Sequence, residues 1–162
     1  MTTHTDHDHE LQHAIDTLNG LLHGERSAVE TYELAIAQFR GEAPKELQDC
    51  LRSHLMRVDR LTQRIGELGG SPILTSGTWG TFAKLVENGA AAFGRKAAIA
   101  ALEEGEDIGL RQYDDALDDL DADSLHLVEG ELLFEERSTH AAMGVLKSRY
   151  QDKRSPGGEK ES

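Results

Sequence analysis

The sequence predicts an all-α protein, a bundle of four long helices with one long crossover between the second and third. Three observations carry this. Apolar residues recur at three- and four-residue spacing over four stretches. Ala, Leu, Glu, Arg and Gln, all good helix formers, are abundant. The three prolines, Pro44, Pro72 and Pro156, fall outside the periodic stretches. A chain of 162 residues fits one domain.

Residues 1–9 are polar and rich in histidine (His4, His7 and His9), and read as a solvated, disordered tail, with loose capture of transition metals by the histidines as the alternative. The bundle is expected over residues 10–150. The first helix, from about 10 to 40, carries Leu18, Leu22, Val29, Ile36 and Phe39 on one side, and Gly41 and Pro44 end it. The second, about 45–68, carries Leu47, Leu51, Val58, Leu61, Ile65 and Leu68 and closes at Gly69 and Gly70. Residues 69–80 are a long connection for a small helical domain, with a short extra helix expected at 81–92. One unbroken helix from 81 to 121 would span about 60 Å, and Gly89 and Gly94 argue against it. The third main helix is therefore placed at about 95–121. Its acidic end opposes the helix dipole and should fray. The fourth runs from about 124 to 150, with Asp123 or Ser124 as its cap, and residues 151–162 read as a disordered tail. Short loops join the outer pairs, and the long link returns the chain from one end to the other, which is the ferritin-like connectivity.

Composition excludes several classes. A net charge of -13 without a basic cluster argues against nucleic acid. No run of about 18 apolar residues exists to span a membrane. The N-terminus lacks the basic and apolar regions of a secretory signal. A single cysteine, Cys50, suits a reducing compartment, so a cytoplasmic protein is expected.

The candidate site emerges from a repeat. HGERSAVETY and EGEDIGLRQY each place a Glu seven residues before a Tyr: Glu25 with Tyr32, and Glu106 with Tyr113. Leu18, Glu25, Tyr32 and Phe39 share one stripe, as do Ile99, Glu106 and Tyr113, so both carboxylates should point inward. On the second helix, His54 interrupts the apolar series. On the fourth, Glu136 sits on the stripe of Leu125, Glu129, Leu132 and Met143, with His140 one turn on. All five polar residues lie near mid-helix. Glu25, His54, Glu106, Glu136 and His140 are thus expected to converge as metal ligands, with Tyr32 and Tyr113 hydrogen-bonded to the carboxylates. Buried carboxylates pair, bind metal or become protonated. Oxygen and nitrogen donors suit iron, with manganese or zinc as alternatives. A Glu–His network with no metal satisfies the same pattern.

The segments ELGGSPILTSGTWGTFAKLV and ALEEGEDIGLRQYDDAL resemble an uncharacterised bacterial family of ferritin-like four-helix-bundle proteins, catalogued as a domain of unknown function, within the wider ferritin and rubrerythrin group. The resemblance covers about residues 15–148 and implies an all-helical bundle without an established activity. The wider pattern places a Glu on helices one and three, which Glu25 and Glu106 match, and Glu-x-x-His on helices two and four. His54 and His140 match the histidines, whereas Leu51 and Arg137 stand where the bridging Glu residues belong. An inward Arg137 would neutralise the carboxylates and fill the site. Two functions follow: a metal-binding bundle with iron-handling or weak oxidase activity, or a metal-free bundle acting as a stress-related or protein-interaction module. Either is expected as a monomer or small homo-oligomer.

Overall fold

The computed structural model describes residues 3–76 and 79–152, with side chains at 6–76 and 94–152. Every regular element among them is helical: α1 (Thr3–Ala37), α2 (Lys45–Glu67), α3 (Trp79–Ala116), a 3-10 turn (Leu117–Asp119), α4 (Ala122–Leu127), a π turn (Val128–Leu132) and α5 (Leu133–Asp152). The last three form one rod, so four long rods make the bundle.

α1 begins at Thr3, within the segment expected as a tail, and the C-terminal tail from residue 153 lies outside the described residues. α3 is broken at Gly94, whose φ of 75° and ψ of -167° leave the helical region. Such a φ strains a residue with a Cβ, so glycine marks the break. The acidic end of α3 tightens into the 3-10 turn after Ala116, as unfavourable carboxylates at a helix C-terminus would promote. The cap of α4 is Asp121, which accepts a hydrogen bond from the Ser124 amide, rather than Asp123 or Ser124.

α1 packs against α2 and α3, and α5 against α3 and α2. Cross-helix bonds set the directions. Tyr32 reaches Glu106 and Tyr113 reaches Glu25, so α1 and α3 are antiparallel. Ser53 bonds Glu135 and Arg64 bonds Asp121, so α2 and α5 are antiparallel too. After α2, Asn19 holds Ser71 and Ile73, Ser76 bonds Glu30, and Arg95 reaches the Phe39 carbonyl, so successive contacts climb α1.

The core is divided into two apolar layers. One holds Phe39, Leu47, Cys50, Ile99, Leu102, Met143 and Leu146. The other holds Leu18, Leu22, Leu61, Ile65, Val128, Leu132 and Leu133. Each such side chain stabilises the fold by about 1.5–3 kcal/mol on burial. Between the layers lies a slab of buried polar residues. No helix among the described residues is long and apolar enough to cross a membrane.

Candidate functional site

The polar slab takes one residue or an i, i+3 pair from each rod. α1 contributes Glu25, α2 His54 and Arg57, α3 Glu106, and α5 Glu136 and Thr139; all are buried. The π turn precedes this last pair. Its wider turn adds a residue to the rod, which rotates the residues beyond it relative to an uninterrupted helix.

His54 bridges two carboxylates. Its Nδ1 lies 2.7 Å from Glu25 Oε2 and its Nε2 3.0 Å from Glu106 Oε1. Arg57 is fully buried, with Nε 2.8 Å from Glu25 Oε1 and Nη2 3.0 Å from Glu136 Oε2. The Nε contact is an ion pair rather than an aligned hydrogen bond. The tyrosines cross over between the two repeats: Tyr113 donates to Glu25 at 2.7 Å, and Tyr32 donates to Glu106. Thr139 donates to Glu106 Oε2 at 2.7 Å. The second oxygen of Glu136, Oε1, lies against Gly109, where a Cβ would stand 2.4 Å from it. Gly109 thus lets a carboxylate rest on the α3 backbone.

Electrostatics balance within this slab. Burial acts to raise the Glu25 pKa, but Arg57 and His54 outweigh it and hold the carboxyl below its ordinary value. For Glu106, burial is likewise outweighed by the His54 hydrogen bond and charge. Burial opposes the charge on His54, yet Glu25 and Glu106 raise its pKa to about 9. Glu136 is pushed up to about 8 by burial and by the Glu25 charge, against the pull of Arg57. Near pH 7, then, two cations face two carboxylates, and Glu136 stays protonated. As an imidazolium, His54 donates from both nitrogens, and Arg57 Nη2, 2.6 Å from His54 Nδ1, is a like-charge approach that the acidic neighbours offset.

Of the expected ligands, Glu25, His54, Glu106 and Glu136 do meet, and Tyr32 and Tyr113 bond them as expected. His140 does not join them. It is half-exposed on the outer seam between α3 and α5, bonded to Asp107 at 2.6 Å. Arg137 does not face inward either; it is exposed and lies 3.6 Å from Asp114. Both positions are rotated out because Glu136 and Thr139 take the inner face. Glu129, placed on the inner stripe by an uninterrupted helical period, is exposed on the π turn.

The sequence reading missed Thr139 and, above all, Arg57. Its signal is the spacing: Arg57 stands three residues after His54, as Thr139 does after Glu136, and residues three apart share one helix face. Cys50 is a core residue whose thiol pKa is raised to about 12, chiefly by burial, so it is an inert filler at neutral pH.

Ligand atoms of Glu25, His54 and Glu136 lie within 4.8 Å of one another, close enough to share a cation. The fit to a metal is nonetheless poor. Both His54 nitrogens are committed to carboxylates, and Arg57 already supplies positive charge to Glu25 and Glu136. A metal would have to displace the guanidinium and strip a proton from the imidazolium. As it stands, the donor set suits an ion-pair cluster.

No curated protein and no solved structure matches the chain. A family model described as a domain of unknown function (DUF2383) matches residues 13–119, a span that takes in Glu25, His54, Arg57 and Glu106, and the protein belongs to that family.

Proposed function

We propose that this protein is a ferritin-like bundle whose interior is closed by Arg57 in place of a metal ion, and that it works as a metal-independent helical module, stress-related or protein-binding. One observation carries the reading: a fully buried guanidinium ion-paired to Glu25 and 3.0 Å from the Glu136 carboxyl. The ferritin-like crossover is supported by the parallel run of α2 and α3 and by the contacts that climb α1 from Asn19 to Phe39. A lone, buried cysteine suits the cytoplasm.

The test is metal content after anaerobic loading with ferrous iron and desalting, on the full chain with His4, His7 and His9 replaced by Ala. Less than about 0.1 iron per chain is expected, with a melting temperature indifferent to a chelator. About one iron per chain, lost on Glu25→Ala, would overturn the reading.

A second reading is favoured by the 4.8 Å grouping of Glu25, His54 and Glu136, which would hold a single iron, or manganese or zinc, once Arg57 swings away. Iron handling or a weak oxidase activity would require that occupied state. Arg57→Ser should then raise iron retention in the same assay.

A further inference from the structure

One cavity plays no part in the central cluster. It has a volume of about 570 Å³ and opens at the end of the bundle where α1 begins, α2 ends and α3 turns into α4. That volume is in the range of small-molecule sites. Its floor is apolar: Leu11, Leu68 and Leu120 line it, half-buried and packed on the core layer beneath. Its rim is acidic. Glu10, Asp118 and Asp123 line it and pair with no Lys or Arg among the described residues. Asp121 also lines it, and its Oδ1 is buried without a hydrogen-bond partner.

The one guanidinium at the rim is already engaged. Arg64 bonds Asp121 at 2.8 Å, Ser124 at 2.9 Å and Glu67 at 3.2 Å. The cavity therefore keeps an excess of negative charge around an apolar base. A single metal ion does not match this layout. Among the described residues, the only set of three or more His, Cys, Asp or Glu ligands that converges within 4.8 Å is the central one, Glu25, His54 and Glu136. The rim carboxylates are spread out, so a ligand that satisfies several must carry separated positive charges. A body of methylene groups between those charges would cover the leucines.

We propose that this bundle-end cavity binds a linear aliphatic polyamine, its methylenes on Leu11, Leu68 and Leu120 and its ammonium groups on the rim carboxylates. The charge of the whole chain, -13, raises the local concentration of such a cation. The site does not depend on whether the central cluster holds Arg57 or a metal.

Calorimetric titration of the full chain with spermidine tests this. Saturable binding is expected, and Asp118→Asn with Asp123→Asn should weaken it by about tenfold, the sum expected of two exposed ion pairs. Both residues are exposed, so the double variant should fold, and circular dichroism is the check on that. Among diamines, affinity should rise from ethylenediamine to putrescine to cadaverine as more methylene surface is covered. Three results would overturn the proposal: no saturable binding, complete displacement of spermidine by magnesium chloride at equal ionic strength, or ethylenediamine binding as tightly as cadaverine.

Discussion

Replacing Arg57 with Met tests the central cluster most directly. Met keeps much of the side-chain volume and removes the charge. Glu25 loses the cation 2.8 Å from Oε1, and Glu136 loses the one 3.0 Å from Oε2, both at buried sites. Removing one partner of a buried ion pair costs about 3–5 kcal/mol. Glu136 is protonated near pH 7, its pKa being about 8, so it loses little by the change. The expected loss therefore lies near the lower end, about 3 kcal/mol. At roughly 2–4 °C per kcal/mol for a chain of this size, the melting temperature should fall by about 6–12 °C. Adding Glu25→Gln removes the stranded carboxylate and should recover about half of that loss, since the remaining charges, His54 and Glu106, balance again. Thermal unfolding followed by circular dichroism at pH 7 measures all three chains. An Arg57→Met melting temperature within about 2 °C of the parent would refute the cluster as drawn. So would an Arg57→Met, Glu25→Gln chain that melts lower than Arg57→Met alone.

Three further outcomes follow from the same geometry. Stability should decline as pH rises: Glu136, with a folded pKa of about 8 against an ordinary 4.5, holds its proton over that window while the unfolded chain releases it, and His54 loses its contribution between 6.5 and about 9. Melting temperatures from pH 5 to 9.5 should fall, and Glu136→Gln should remove the part between 4.5 and 8; a flat or rising profile contradicts the assignment. Gly109→Ala places a methyl 2.4 Å from a carboxylate that Arg57 pins, and should cost about 1–3 kcal/mol, whereas Gly20→Ala, with nothing within 4 Å, should be neutral or stabilising in the same urea titration. His140→Ala should change stability by no more than about 0.5 kcal/mol, because its partner Asp107 is a surface residue; a loss like that of Arg57→Met would put His140 back in the interior.

The Glu–Tyr repeat shows how far periodicity reaches. The seven-residue series of α1 and α3 placed Glu25, Tyr32, Glu106 and Tyr113 inside, and all four are buried. That the tyrosines exchange partners, each bonding the other repeat's Glu, depends on α1 and α3 lying antiparallel at one level. A helix's own spacing carries no information about that level.

Where the sequence reading failed, the reasons are specific. Arg57 lies on the buried stripe of α2 with Leu47, Cys50, His54, Leu61 and Ile65. A guanidinium at such a position reads as solvent-facing, because its burial is unfavourable unless partners from other helices meet it. Those partners, Glu25 on α1 and Glu136 on α5, are 32 positions before it and 79 after it in the chain. On the last rod the period itself misled. Thr139 and His140 both stand one turn beyond Glu136, and it is Thr139, three residues on, that follows Glu136 into the interior.

The sequence by itself determined the helices, their approximate ends and which carboxylates of α1 and α3 turn inward, because each follows from a period of 3.6 residues and from local turn chemistry. Only the tertiary structure decided what neutralises those carboxylates. The identity of a buried cation depends on the relative depth and rotation of four rods, and a small rotation exchanges an imidazole for a hydroxyl on one helix and brings a guanidinium inward on another.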